Sequence, residues 1–344
     1  MKTCQYRFRD GDKCQEEAQP DSEYCILHID PPEDEDGEEF KILSELKEKK
    51  VEEKVGEGDF NFEGAKLIEA NFSVITVEND LNFMDGVIKR DALFIDATMG
   101  RNASFDGIKI GGDAIFADAR IGRDLSFSES EIGGLAWFNG ARVGGDASFF
   151  DSKIGGDLLF IEVKVGGLAW FNRAEVNGDL RFHLAEVKGE LSFKDAKFKK
   201  AGAQEEACRR ARKIYEDVGN RDEADYYFYH EMEARRRQKK GTIRILELPV
   251  QYIFGYGTKW ERVFITWLSV LIACALLFWI GGGVEGANSL WENIYFSVAT
   301  ATTVGYGDYH PKSGVYQALA SVEAIFGTFM WAAFIAIFAR KYMR

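Results

Sequence analysis

Two apolar rhythms divide the chain. Between Phe72 and Phe193 phenylalanine recurs every eleven residues, and Phe62 precedes Phe72 by ten. Two residues before each stands Ala or Leu, from Ala70 to Leu191, and six before stands Val, Ile or Met, from Val77 to Val187. Self-similarity at a fixed period marks a solenoid. A spacing of two puts alternate residues on one side of a strand, so the repeat predicts short strands with the phenylalanines inward. One unit is too short to close a coil around them. Two units close one with about four short sides, and about six coils at roughly 4.8 Å per layer make a rod near 30 Å long. Glycine pairs such as Gly111-Gly112 and Gly155-Gly156 mark corners, and the recurring aspartates read as corner caps.

The second rhythm is no rhythm at all. Val263 to Ile280 carries no charge, and Val315 to Ala339 carries only Glu323. At about 1.5 Å per residue both reach across a hydrocarbon core. Arg235, Arg236, Arg237, Lys239, Lys240 and Arg244 precede the first run, Arg340, Lys341 and Arg344 follow the second, and only Lys312 lies between. Basic residues stay inside, so both termini are expected in the cytoplasm, the protein multi-pass in the plasma membrane, and the intervening loop outside.

That loop contains TATTVGYGDYHP, Thr300 to Pro311. Ser289-Leu290-Trp291-Glu292 fits a capping box and predicts a helix over 290–302, too short to cross. Its C-terminal end favours a cation in front of it. Thr303-Val304-Gly305-Tyr306-Gly307 follows, and irregular backbone at membrane depth is tolerated only where it is buried or lines water. Glu323 is expensive in lipid and so a candidate by itself. It either faces the pore or is a buried carboxyl bonded to a hydroxyl such as Thr300, and the second reading is preferred.

This segment, over about 260–344, resembles the two-transmembrane potassium channels, whose filter carries the pentapeptide TVGYG. Selectivity enters through that resemblance. It implies that carbonyls of Thr303, Val304, Gly305 and Tyr306, with the Thr303 hydroxyl and Gly307 completing the turn, bind K⁺. It also implies that Tyr295 and Phe296 brace the filter and that Gly327 is the inner-helix hinge, with small Ala332 and Ala333 near the inner mouth. Four such loops are needed, hence a homotetramer in a lipid bilayer. Ala299 stands where some relatives carry a glutamate that pairs with the aspartate after the filter. Asp308 therefore needs another partner, Trp291 or Tyr295.

At the other end, Cys4, Cys14, Cys25 and His28 form C-x9-C-x10-C-x2-H. Three thiolates and an imidazole suit tetrahedral Zn²⁺ in a closed structural site. Free cysteines or a redox switch are the alternatives. The spacing resembles the WRC-type zinc module of plant proteins. The repeat region resembles pentapeptide-repeat β-helices, with a period of eleven in place of five.

Charge excludes one class. Residues 1–200 hold 26 Lys+Arg against 41 Asp+Glu, while the remainder is near neutral. An acidic front half does not build a nucleic-acid groove. No nucleophile–base set or phosphate loop stands out, so an enzyme is not expected. Nor does a basic, then apolar, opening suggest a signal peptide. Trp137 and Trp170, beside inward phenylalanines, are expected outward as a contact face or as partial cover for neighbouring coils, and His183 as solvated.

The fold expectation is a multidomain chain: a cytoplasmic parallel β-helix joined by a helical hairpin to an all-α two-span tetrameric pore. The boundaries are a zinc module at 1–30, an acidic linker and solvent-facing charged helix at 31–54, the solenoid at 55–200, the hairpin connector at 201–240 with a break at Gly219-Asn220, an interfacial helix at 241–259 kinked by Pro249, and the pore domain at 260–344. Within the pore the spans are 263–280 and 315–339, the pore helix 290–302 and the filter 303–307. The functional expectation is a K⁺-selective channel regulated through its N-terminal region. The alternative is a membrane-anchored scaffold whose solenoid and zinc module bind a cytoplasmic partner.

Overall fold

The structure is a computed structural model and describes residues 2–343, so Arg344 lies outside the described residues. It divides into two compact units, residues 1–238 and 239–344.

In the first unit the repeat winds a parallel β-solenoid. Its two-residue strands stack into four sheets, one per side of the coil. Partners lie one coil apart, as in Lys109↔Glu131 and Ala114↔Ala136. The first step, Lys66↔Val87, is one residue shorter because Phe62 and Phe72 are ten apart. Every repeat phenylalanine is buried. They form two columns, one running from Phe83 through Phe105 and Phe127 to Phe149, the other from Phe94 through Phe116 to Phe138. Neighbours within a column stack at 4.6–5.6 Å, and rings of adjacent columns meet edge-on at 5.3–6.0 Å. Each such pair contributes about 0.5–1.5 kcal/mol beyond burial.

The corners are of two kinds. Glycine pairs do mark one kind, and the reason is close approach between coils: a Cβ on Gly111 would collide with Lys89 O, and one on Gly144 with Gly122 O. The other kind lies two residues after each phenylalanine and is left-handed. Gly64, Gly107 and Gly140 occupy some of these positions, but Asp85, Asp96, Asp118 and even Val74 (φ 61°) occupy others. Aspartates cap coil to coil as expected: Asp91 Oδ1 accepts from Asp113 N at 2.7 Å, and Asp113 Oδ1 from Leu135 N at 2.8 Å.

A solenoid leaves open ends, and unpaired strand edges invite aggregation. Both are covered. At the N-terminal end Lys66 N donates to Leu27 O at 2.7 Å, so the cysteine module covers the edge of the first sheet. Helix α1, Glu38–Gly56, is not the solvent face expected of it. Phe40 is buried, and the Lys47 ammonium is buried too, donating to Ile26 O at 2.6 Å and Ile29 O at 2.8 Å. Burial pulls the Lys47 pKa down to about 8. The acidic linker is likewise tied down, with Asp30 on Lys66 at 2.7 Å and Glu35 on Lys89 and Arg90 at 2.9 and 2.8 Å.

At the C-terminal end the hairpin forms as α2, Ala201–Asp217, and α3, Arg221–Gln238, broken at the expected Gly219-Asn220. It caps the rod instead of acting as a free connector. The buried Tyr227 hydroxyl accepts from Phe193 N at 2.9 Å and meets Ser192 Oγ at 3.2 Å, closing the last coil. Buried Glu231 accepts from Arg212 at 2.8 Å and Arg235 at 2.7 Å, fastening α2 to α3.

The second unit opens with α4, Thr242–Leu246, and α5, Leu248–Tyr252. The expected single interfacial helix is two short ones, because Pro249 sits in the first turn of α5 and starts it, where a missing N–H costs nothing. Then come α6, Trp260–Ile280, α7, Leu290–Ala301, and α8, Gly314–Tyr342. Helices α6 and α8 are long and apolar enough to cross a membrane.

Candidate functional site

The loop between α6 and α8 is built around α7. Its capping box is present: Ser289 Oγ accepts from Glu292 N at 3.2 Å while Glu292 Oε2 accepts from Ser289 N at 2.7 Å. This fixes where α7 begins. Its last turn ends at Thr302, and Val304 N returns to Ala299 O at 3.0 Å. From there the backbone alternates in hand. Thr303 (φ 59°), Gly305 (φ 55°) and Gly307 (φ 82°) are left-handed, whereas Val304 and Tyr306 are not. Such alternation turns successive peptide carbonyls toward the same side, the arrangement a carbonyl cage needs. Residues 303–307 stand open within one chain, Val304 at 53% and Tyr306 at 71% exposure.

The two expected braces part company. Tyr295 stacks on Tyr306, centroids 6.2 Å apart, and packs edge-on against Tyr309 at 5.8 Å. Phe296 instead packs edge-on against Phe278 of α6 at 5.1 Å, so it fastens the pore helix to the first span. Of the partners expected for Asp308, Trp291 is largely exposed, and within one chain Asp308 Oδ1 accepts from Tyr309 N at 3.2 Å. Tyr309 was not singled out from sequence. The recurrence of tyrosine at 295, 306 and 309 was the available signal.

Glu323 is buried and accepts a hydrogen bond from Ser297 Oγ, not from Thr300. Ser297 also reaches Leu271 O at 3.2 Å, so one hydroxyl joins α6, α7 and α8. Gly327 has a packing role that the hinge expectation did not contain. A Cβ there would collide with Ala301 O and Ala301 Cα, so the missing side chain lets α8 lie against the end of α7. Helix α8 runs unbroken through it. Ala332 is exposed and Ala333 half-buried. Ahead of α6, Phe254 meets Phe329 of α8 edge-on at 5.9 Å, and Trp260 meets Phe334 at 5.9 Å and Phe338 at 5.7 Å.

The second candidate site is the cysteine module. Cys4, Cys14, Cys25 and His28 are all buried, with ligand atoms within 4.8 Å of one another. Cys14 Sγ lies 3.9 Å from Cys25 Sγ, and His28 Nδ1 lies 3.5 Å from Cys4 Sγ and 3.1 Å from Cys25 Sγ. Tetrahedral zinc with Zn–S near 2.3 Å puts ligand atoms about 3.5–3.9 Å apart, which these separations approach. His28 Nε2 lies 3.0 Å from the Glu63 carbonyl. A proton held there leaves the Nδ1 lone pair facing the sulfurs. Tyr6 stacks on the imidazole at 4.0 Å. Without a cation the sulfurs do not ionise together. Burial raises the Cys4 thiol. Cys14 also rises, through its hydrogen bond to Cys25 and its burial, while that bond and then His28 hold Cys25 down to about 3. The cluster could hold a metal. Glu63 and the neighbouring Lys47 were invisible in the spacing because they come from the first coil and α1, while Tyr6 lies within the module between Cys4 and Cys14.

Trp137 and Trp170 are exposed at 37% and 39%, as the repeat phase predicts, and His183 is exposed as well.

Comparison with curated proteins and with solved structures returns no match. Residues 105–153 match the family model described as pentapeptide repeats (9 copies), within the solenoid. Residues 265–344 match the family model described as ion channel, from the first span to the end of the chain. The molecule thus carries a membrane-embedded ion channel domain of the two-span type behind a pentapeptide-repeat β-solenoid.

Proposed function

We propose that this protein is a homotetrameric, potassium-selective channel and not an enzyme. The observation that carries the reading is the alternating backbone of Thr303 to Gly307, set between a capped half-helix and α8 and open within one chain. Four copies around an axis would close it into rings of carbonyl oxygen that replace the hydration of K⁺. Both termini face the cytoplasm of the plasma membrane by the distribution of basic residues.

Regulation enters from the N-terminal side. The segment ahead of α6 touches α8 through Phe254 and Phe329, two residues beyond Gly327. Displacement of α4 and α5 would therefore reach the inner helix directly. The cysteine cluster holds structural Zn²⁺, supported by its burial, its separations and the Glu63 carbonyl 3.0 Å from His28 Nε2. Metal analysis of the purified protein should give about one zinc per chain, and Cys25→Ser should abolish it and speed hydrogen exchange in residues 61–90. Zinc-free protein with unchanged exchange would remove this part.

The principal test is reversal potential in liposomes under mixed K⁺ and Na⁺. A potential that follows the K⁺ gradient is expected, whereas equal passage of Na⁺ would overturn selectivity. Deleting residues 1–240 should change open probability, and unchanged gating would refute N-terminal regulation. A silent pore would favour the scaffold reading, for which the exposed tryptophans of the solenoid speak.

A further inference from the structure

The four sides of the solenoid are not alike. On the first, outward charges alternate from coil to coil: Glu131 pairs with Lys153 at 3.0 Å and Glu175 with Lys197 at 2.5 Å. On the fourth, the outward column reads Asn82, Ser104, Ser126, Ser148, then Trp170. Its hydroxyls bond one another, Ser128 Oγ to Ser148 Oγ at 2.9 Å. Both are faces at home in water.

The second side, opposite the serines, is different. Its outward column stacks Leu93, Ile115, Trp137 and Leu159 in register. Ile95 and Ile161 lie one pleat along on the same face, after the inward Phe94 and Phe160. These side chains sit at outward phase in strands whose inward partners already fill the core, so packing of the chain itself does not require them. Outward strand positions on the other three sides are otherwise Asn, Ser, Thr, Lys, Arg and Glu, with single apolar residues at Val87 and Trp170 and no apolar column.

The layout is that of a small protein interface: an apolar centre with a tryptophan in its middle coils, and charge only at the rim. The rim argues about the occupant. Asp96 and Asp118 are exposed at the bordering corner, where an anionic membrane surface would be repelled. A flat apolar sheet face is, in contrast, complementary to itself at the usual spacing of about 10 Å. From strand spacing the face covers roughly 300 Å². Free proteins need about 800 Å² per partner for a stable interface. Alone it would bind weakly, but a shared pore holds copies together at an effective concentration in the millimolar range.

We propose that this face docks on the same face of a second copy of the chain, so that the solenoids of one channel pair two by two. The inference rests on the tetramer of the preceding section. Paired solenoids would move as units, giving a cytoplasmic signal two levers in place of four.

The test uses the full chain in detergent and in liposomes. The native cysteines are buried, which leaves the surface free for single reporters. Ile115→Cys and, independently, Leu159→Cys are treated with a short bifunctional maleimide. Ser126→Cys on the opposite face is the control, and particle mass is measured alongside. Cross-linked dimer several-fold above the control at both positions is expected, falling to the control level when Trp137→Asp is added while the particle stays tetrameric. A tetramer in which Ile115→Cys and Leu159→Cys link no better than Ser126→Cys overturns the pairing and leaves the channel reading intact. A particle that is not a tetramer sinks the channel stoichiometry instead, and the pairing with it unless Ile115→Cys still yields dimer.

Discussion

The solenoid completes itself within one chain, and the pore domain does not. Phe127 contacts rings above, below and beside it and is fully buried. Val304 and Tyr306, the central residues of the other unit, stand in the open. The rod grows by adding coils, so each layer is satisfied by the next in sequence. The loop at 303–307 has no next layer within its own chain. In the proposed channel its backbone would be completed by the same loop of other copies. The same glycine residue type serves opposite needs in the two regions. Gly144 is required because another backbone occupies its Cβ position, whereas Gly305 has nothing within 4 Å and is required for its positive φ.

The largest break in this comparison should come from Gly305→Ala. A left-handed alanine costs about 1–2 kcal/mol per residue, and in the proposed tetramer four copies would multiply it to roughly 4–8 kcal/mol per pore. Rubidium flux should fall to background while the solenoid's unfolding transition stays where it was. Flux near the parental level would show that the filter does not use this backbone. Next comes Phe127→Ala, which removes one ring from mid-column. Unfolding of the first unit should lose about 3–5 kcal/mol, and channels that survive should keep their reversal potential. A shift in ion preference would contradict the separation of the two regions.

Gly144→Ala should cost the rod about 1–3 kcal/mol by overpacking against Gly122, read by chemical denaturation. Paired with Gly305→Ala it asks whether one residue type fails sterically in one region and conformationally in the other. The smallest effect has the opposite sign. Val74 is a β-branched residue at φ 61°, so Val74→Gly should raise solenoid stability by about 1 kcal/mol. A loss would mean that the Val74 side chain stabilises more than its backbone strains.

Much of this was legible beforehand. The step of eleven named the inward phenylalanines and the two-unit coil, and the step of ten between Phe62 and Phe72 reappears as the shortened register of Lys66 on Val87. Ser289 and Glu292 announced the start of α7. Other features were decided where distant elements meet. Helix α1 looked solvated because Lys47 is charged, yet two carbonyl groups take up its ammonium. For Phe296, expected as a filter brace, the contact that no spacing announced is with Phe278 of α6. Glu323 is the buried, hydroxyl-bonded carboxyl preferred from sequence, but helix phase made the hydroxyl that of Ser297 in place of Thr300.

The sequence by itself determined periodicity, membrane-length runs, the pore-helix cap and the ligand types at both ends, because each is a local pattern that any short window of chain expresses. Tertiary structure decided which residues close the ends of the rod, which ring nitrogen of His28 faces the sulfurs, why Gly327 has no side chain, and which solenoid face is left apolar. These depend on where segments far apart in sequence come to lie, and no spacing rule within one segment carries that information.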